Sequence, residues 1–185
     1  HEDLVIGLDP DAPLGYARDI AVDSTGVIYV LDTGFMTIHR FAPDGTHLGD
    51  IGREGEAPGE FFGPSCLTLG PEGDIYVAGA SSLITVLHPD GTPGPVIPRE
   101  QVFRAQRIRF GPDGRLYMIA YDRVSRKVVH RYAAGTFEHL DSFCDSYAGD
   151  RSIDPRLGAT YAGGYLDFTP GRGILFVQAM PQRVF

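Results

Sequence analysis

The sequence predicts an all-β protein, a β-propeller built from four-stranded antiparallel blades, with three complete blades and part of a fourth in this chain. Three observations lead to this prediction. A strand–turn–strand segment recurs four times, a second turn follows the first three segments in register, and the segment glycines are 47, 41 and 59 residues apart. Propeller blades repeat every ~40–50 residues. A β-sandwich also has many short strands, but it does not require the same turn and the same aromatic residue to recur in register.

Each recurring segment consists of two strands around a tight turn, because apolar residues alternate on both sides of a glycine. The glycine supplies the positive φ that a short hairpin loop needs. An aromatic residue follows three positions later, where a large ring can fill the gap between neighbouring sheets. The segments are 20–30, 67–77, 108–118 and 166–177, their glycines are Gly26, Gly73, Gly114 and Gly173, and their aromatic residues are Tyr29, Tyr76, Tyr117 and Phe176.

The second turns separate the third strand of each blade from the fourth. They lie at 43–45, 89–91 and 134–135; the third strands are predicted at 37–41, 83–87 and 128–132, and fourth strands at 47–51 and 139–143. Residues 1–185 are therefore predicted to form a single propeller domain. Its parts are a lead-in or outer strand at 1–15, blades at 16–52, 64–98 and 105–143, a long loop at 144–163 and a partial blade at 164–185.

The net charge and the apolar content of the sequence limit which classes of binding partner are expected. The formal net charge of −8 disfavours nucleic acid, which needs a basic face, and no apolar run has the ~18 residues of a membrane-spanning helix. The charge is uneven, however. Residues 99–131 contain nine basic and three acidic residues, a net charge of +6, which leaves −14 for the rest of the chain.

The repeat unit resembles the NHL repeat: the first unit combines Asp-x-x-Gly-x-Ile-Tyr-Val at 23–30 with an apolar strand that ends in Phe-x-Pro-Asp-Gly at 41–45, and the other units carry similar segments. The connection at 51–61, Ile-Gly-Arg-Glu-Gly-Glu-Ala-Pro-Gly-Glu-Phe, is similar to the Gly-rich inter-blade connection of bacterial six-bladed propellers. The chain departs from the NHL pattern in having no Asn, and the absence of Trp separates it from WD repeats. The resemblance implies a six-bladed ring and a location outside the cytoplasm, periplasmic or secreted.

The chain contains fewer than the six blades that the resemblance implies, and three explanations account for this difference. The chain is part of a longer protein, or a partner covers the open edges, or residues 4–8 pair as the outer strand of the last blade, as in ring-closing propellers. An uncovered blade face would expose apolar surface and unpaired strand edges. We favour a part of a six-bladed ring.

The sequence contains no recognisable catalytic or metal-binding motif. Apart from His1, the histidines fall on predicted outer strands or their turns, and none shows ligand spacing with another, so the sequence predicts no metal site and no cofactor. Channel histidines of propeller lyases and the Asn-containing calcium shell of propeller lactonases have no counterpart. Cys66 and Cys144 are expected to be two thiols, buried or half-buried. These features favour a non-enzymatic protein.

The basic residues of the third blade are the candidate partner-binding surface. We expect them to face an acidic protein or an anionic membrane surface, as in an extrinsic subunit of a membrane-associated complex. This set comprises Arg104, Arg107, Arg109, Arg123, Arg126 and Lys127. Arg109 has an alternative role, in which it pairs with Asp167 of the next blade.

A second hypothesis is an enzyme or small-ligand receptor that uses the mouth of the central channel. Its candidate residues are Asp19, Glu60 and Tyr165, together with Arg107. Glu60 also has a structural alternative, capping the Gly-rich connection by accepting backbone N–H groups, and we favour that role because a single carboxylate is a poor acid–base apparatus.

Overall fold

The protein was analysed as a computed structural model, which describes residues 4–7, 10, 12–99, 104–122, 124–145, 164–169 and 173–178. These residues form β-strands, turns and coil, and none of them belongs to a helix long and apolar enough to span a bilayer. The strands are β1 Ala17–Val22, β2 Ile28–Asp32, β3 Thr37–Phe41, β4 His47–Ile51, β5 Arg53–Glu54, β6 Glu60–Phe61, β7 Pro64–Leu69, β8 Ile75–Gly79, β9 Leu83–Leu87, β10 Ile97–Pro98, β11 Arg107–Phe110, β12 Leu116–Ile119, β13 Lys127–Tyr132, β14 His139–Asp145, β15 Gly164–Thr169 and β16 Gly173–Gln178.

Three four-stranded sheets carry the fold. Their strand orders are β1-β2-β3-β4, β7-β8-β9-β10 and β11-β12-β13-β14, so each strand pairs with its sequence neighbour. The antiparallel hairpin β15-β16 and the parallel pair β5-β6 are the two remaining ladders among the described residues. The predicted four-stranded antiparallel units are confirmed. The turn glycines adopt the positive φ expected of them, between 72° at Gly114 and 91° at Gly73.

The chain divides into two compact units, His1–Ile97 and Pro98–Phe185. In the first unit, one core joins the first and second sheets: Leu31, Ile38 and Ile51 pack with Leu67, Ile75 and Leu87. Tyr29, one of the recurring aromatic residues, belongs to this core and is 3% exposed. The ring therefore fills space between two sheets, as its fixed position in the repeat predicts.

The core of the second unit joins the third sheet to the β15-β16 hairpin. Tyr117, Ile119 and Val129 pack with Leu166, and Phe168, Ile174 and Phe176 extend the cluster as half-buried residues. The rings of Tyr117 and Phe168 meet edge to face, with 5.0 Å between their centroids. The hairpin thus packs on the third sheet in the way that a fourth blade is expected to pack.

Aspartates fasten the turns and strand ends of both units. Asp23 Oδ2 accepts the hydroxyl of Tyr29 at 3.2 Å, and Asp113 Oδ2 accepts that of Tyr117 at 3.1 Å. Burial, together with the nearby carboxylate, raises the pKa of both tyrosines. The two aspartates occupy different positions of the repeat, yet each holds the recurring ring.

Asp32, at the end of β2, is fully buried and accepts four backbone N–H groups. They come from Gly15, Tyr16, Gly34 and Phe35, at 2.6, 2.9, 2.7 and 3.2 Å. Burial alone would raise the pKa of Asp32, but the four donors stabilise the carboxylate and lower it. Asp32 therefore ties the segment before β1 to the turn between β2 and β3.

Some apolar residues lie exposed on the first and last of the described sheets. Ile20 and Val22 on β1 are 54% and 57% exposed, and Leu175 and Val177 on β16 are 50% and 51% exposed. In propellers a neighbouring blade covers such a sheet face, so the exposure of these apolar residues does not by itself indicate a binding partner.

Residues 4–6 form no strand here, and Leu4 Cδ1 lies beside Gly45. A role for this segment in closing a ring stays a prediction.

Candidate functional site

One end of the third sheet brings together four of the six predicted partner-binding cations. Arg107 begins β11 and Lys127 begins β13, and the antiparallel register places the starts of both strands at the same end of the sheet. Arg104 and Arg126 precede these strands by a few residues. We call Arg104, Arg107, Arg126 and Lys127 the basic end. Arg109 lies further along β11, and Arg123 is outside the described residues.

An aromatic ring and an aliphatic side chain accompany the basic end. The guanidinium carbon of Arg107 lies 5.0 Å from the ring centroid of Tyr165, a cation–π distance, and Tyr165 remains 67% exposed. Val124, in the turn before β13, is 82% exposed. Arginine and tyrosine are enriched at the centres of protein interfaces because they combine apolar area with polar tips. The arrangement can therefore accept a partner that carries both acidic and apolar side chains.

Asp122 holds the turn of the basic end in shape. Its carboxylate accepts the Val124 N–H at 2.8 Å and the Ser125 hydroxyl at 2.5 Å. Burial acts to raise the pKa of Asp122, but these hydrogen bonds lower it, so the carboxylate stays ionised. Lys127 is partly neutralised, since its Nζ lies 2.7 Å from Asp145 Oδ1.

Charge is distributed differently in the two units. Residues 98–185 contain thirteen basic and nine acidic residues, a net charge of +4, whereas residues 1–97 contain three basic and fifteen acidic residues, a net charge of −12. Several arginines of the second unit are engaged within it: Arg131 forms a two-point contact with Asp141, and Arg115 lies 3.1 Å from Asp113. Asp167 accepts the N–H of Phe168 at 2.8 Å, and its pairing with Arg109 stays a prediction.

The first unit contains a groove beside the Gly-rich connection. Its volume is about 460 Å³. The connection supplies one wall and the turn between β8 and β9 the other, with Thr85 and Val96 completing the lining. Phe62 and Val96 are 55% and 41% exposed, so the groove offers apolar surface to solvent.

Glu60 performs the structural role that we favoured from the sequence. Its carboxylate accepts the Ala57 N–H at 3.0 Å and lies 2.8 Å from the Arg53 guanidinium. The hydrogen bond from Ala57, followed by the contact with Arg53, lowers the pKa of Glu60. Its side chain also lines the groove. Glu60 therefore shapes the groove and contributes a fixed negative charge to it.

Asp19 connects the first strand of the first sheet to the first strand of the second sheet. Its Oδ2 accepts the Leu67 N–H at 3.0 Å, which joins β1 to β7. A place for Asp19, Glu60 and Tyr165 at the mouth of a channel stays a prediction. Cys66 is a buried thiol and Cys144 a half-buried one, and burial raises the pKa of Cys144.

A histidine cluster on the first sheet was not indicated by sequence spacing. His39 on β3 and His47 on β4 both contact Asp50 Oδ1 at 2.7 Å. The contact runs across the hairpin and depends on strand register, which puts Asp50 opposite His39. The sequence does contain one indication of this cluster, which is a repeated pattern. His39 and His47 flank the second turn of the first blade, and His130 and His139 flank the second turn of the third blade.

No known protein-family profile matches the chain, and no curated protein matches its sequence. Several solved structures are similar in fold. A protein of Bacteroides fragilis described as exported has a TM-score of 0.62 at 15% identity, covering 76% of this chain and 40% of that one. Virginiamycin B lyase of Staphylococcus aureus has a TM-score of 0.59 at 16% identity, covering 92% and 50%. The WD40 repeats of RRP9 have a TM-score of 0.54 at 15% identity, covering 71% and 39%.

These comparisons define the fold class: the chain has the β-propeller fold, built from four-stranded antiparallel sheets. The chain spans half or less of the length of these three proteins. At 15–16% identity the likeness shows the fold alone. Propellers serve many unrelated activities, so function has to be argued from the surfaces described above.

Proposed function

We propose that this chain is a non-enzymatic interaction propeller that binds an acidic segment of a partner protein through the basic end of its third sheet. The observation that carries the proposal is the stacking of Arg107 on the exposed ring of Tyr165, at the end of the sheet from which the chain segments with Arg104, Val124 and Arg126 also lead into their strands. A partner segment with acidic and apolar side chains complements this surface. A location outside the cytoplasm, as an extrinsic subunit of a membrane-associated assembly, is part of the proposal.

Protein is favoured over an anionic membrane as the partner. A membrane surface attracts clusters of basic residues, and binding grows with each added cation. Here Asp145 pairs with Lys127, and an aromatic ring with a defined orientation lies under Arg107. Such a mixture of apolar and paired polar groups suits a specific interface better than a diffuse electrostatic one.

Selection of peptides from a random displayed library on the full chain tests this proposal. We expect enriched peptides to combine Asp or Glu with an aromatic or aliphatic residue. The Arg104→Ser/Arg126→Ser double variant should bind a selected peptide roughly tenfold more weakly, ~1.4 kcal/mol, by fluorescence anisotropy. The matched control is Arg115→Ser, because Arg115 lies beyond the opposite end of β11 in the same sheet.

The proposal fails if no acidic peptides are enriched, or if Arg115→Ser weakens binding as much as the double variant. Sedimentation with phosphatidylcholine vesicles, with and without phosphatidylserine, tests the membrane. Phosphatidylserine-dependent sedimentation that the double variant loses, without peptide binding, would replace the protein partner by an anionic bilayer.

A second candidate function is binding of a small ligand in the groove of the first unit. It is favoured by the volume of about 460 Å³ and by the exposed Phe62 at its edge. Saturation-transfer NMR with a library of small aromatic fragments should give signals that Phe62→Ser abolishes. Phe35→Ser, which removes a ring of nearly equal exposure outside the groove lining, should retain them. Equal loss in both variants, or no fragment binding, would contradict this function.

A further inference from the structure

The outer edge of the first sheet carries three potential metal ligands, His39, His47 and Asp50. Their ligand atoms all lie within 4.8 Å of one another. His39 Nδ1 and His47 Nε2 each lie 2.7 Å from the same carboxylate oxygen, Asp50 Oδ1. The three side chains differ in solvent exposure: that of His39 is 4% exposed, that of His47 25% and that of Asp50 45%.

One ring nitrogen of His39 has no hydrogen-bond partner in the structure. A hydrogen bond to Asp50 requires a proton on Nδ1, because a carboxylate can only accept. The other ring nitrogen, Nε2, is buried and has no hydrogen-bond partner. It faces the carboxylate of Asp32, with 3.6 Å between Nε2 and Oδ2. A neutral ring protonated on Nδ1 would therefore direct a lone pair at a buried carboxylate.

The third sheet contains a closely similar arrangement that is complete by itself. His130 Nδ1 and His139 Nε2 lie 2.8 and 2.9 Å from the hydroxyl of Ser142, and His130 Nε2 lies 3.0 Å from the carbonyl oxygen of Ala120. His130 Nε2–H can donate to the carbonyl while Nδ1 accepts from the hydroxyl. In both sheets the two imidazole centroids are 6.0 Å apart. The difference is Asp50 in one sheet and Ser142 in the other.

We propose that His39 Nδ1, His47 Nε2 and an oxygen of Asp50 bind a first-row divalent transition metal ion, with zinc as the preferred ion. When the ion binds the Nδ1 lone pair, the single N–H proton of the neutral His39 ring lies on Nε2 instead, where it points at Asp32. Metal-bound histidines commonly donate their second N–H to a carboxylate in this way. The proposal thus accounts for the buried Nε2, whose N–H would face the Asp32 carboxylate.

The geometry accommodates such an ion with small movements. Zinc binds imidazole nitrogen and carboxylate oxygen at about 2.0–2.2 Å in a tetrahedron, which separates the ligand atoms by about 3.3–3.6 Å. The 2.7 Å contacts on Asp50 therefore open by less than about 1 Å. The exposed side of Asp50 leaves room for water as the fourth ligand, and the net charge of −12 on residues 1–97 favours a cation.

Zinc titration of the full chain, stripped with EDTA and dialysed, tests the proposal by calorimetry and by thermal shift. We expect Asp50→Ser, which copies the third sheet, to weaken the binding of one zinc ion at least tenfold and to remove the increase in Tm that zinc produces. Asp50 is on the surface, so this variant should fold. Titration with Co²⁺ should give the visible absorption of a tetrahedral site in the unaltered protein and not in the variant.

The third sheet supplies matched controls. Ser142→Ala should leave zinc binding unchanged, and Ser142→Asp should raise the stoichiometry by one ion per chain. Zinc binding that Asp50→Ser does not weaken would overturn the proposal and place the ion elsewhere. The absence of zinc binding to the unaltered protein would also overturn it.

Discussion

Replacement of Asp32 by alanine is expected to destabilise the protein by about 3 kcal/mol, because four part-buried backbone N–H groups that converge on its buried carboxylate lose their acceptor at once. Each unsatisfied buried donor costs about 1–3 kcal/mol, and water entering the space left by the carboxylate recovers part of this. Gly15 and Tyr16 precede β1, while Gly34 and Phe35 form the turn after β2, so the loss separates two segments.

Urea unfolding in the presence of EDTA, followed by far-UV circular dichroism and tyrosine fluorescence, measures this effect without a contribution from bound metal. Asp44→Ala is the matched control, since Asp44 is exposed and accepts a single local N–H from Thr46. We expect the control to lower the free energy of unfolding much less than Asp32→Ala does, because water replaces the contact that Asp44 loses. Equal losses in the two variants would contradict the role of Asp32 as the acceptor that joins both segments.

Replacement of Leu67 by alanine is expected to cost about 3 kcal/mol in the free energy of unfolding. Leu67 is 0% exposed and lies on β7, where it packs with residues of the first and second sheets. Its deletion leaves a cavity between two rigid sheets, which cannot collapse without breaking their ladders. The expected decrease in the free energy of unfolding therefore lies within the range of about 2–5 kcal/mol that buried Leu→Ala changes produce.

Leu48→Ala removes the same atoms from a position that is 46% exposed, and we expect a change of about 0.5 kcal/mol or less. The two variants should be compared by urea unfolding under identical conditions. If Leu67→Ala is as mild as Leu48→Ala, the first and second sheets do not share the core described above.

Local signals in the sequence were sufficient to predict the strands and turns. The structure has β3 at Thr37–Phe41, β4 at His47–Ile51 and β9 at Leu83–Leu87, as the alternation and the turn glycines predict. In the third sheet the ends differ slightly, because β13 begins at Lys127 and β14 continues to Asp145. The capping role of Glu60 was also accessible, since its hydrogen-bond partners lie within seven residues of it.

The candidate sites depended on contacts that spacing along the chain does not encode. Arg107 and Tyr165 are 58 positions apart in the sequence, and their stacking follows from packing of the β15-β16 hairpin on the third sheet. The basic residues were identified as a cluster by composition, but only the strand register separates Arg109, on the sheet, from the basic end. The burial of Asp32 likewise depends on two segments that are distant in the sequence, the one before β1 and the turn after β2.

The sequence by itself determined an all-β propeller architecture, because alternation of apolar residues and turn glycines acts over a few residues and recurs in every blade. The tertiary structure decided which polar groups meet. A bulge between Arg40 and Phe41 shifts the pairing of β3 with β4, so that His47 lies opposite Phe41 and Asp50 opposite His39. A single step in register changes such contacts while leaving the apolar pattern of each strand intact, and for this reason the proposed metal site became apparent only in the folded chain.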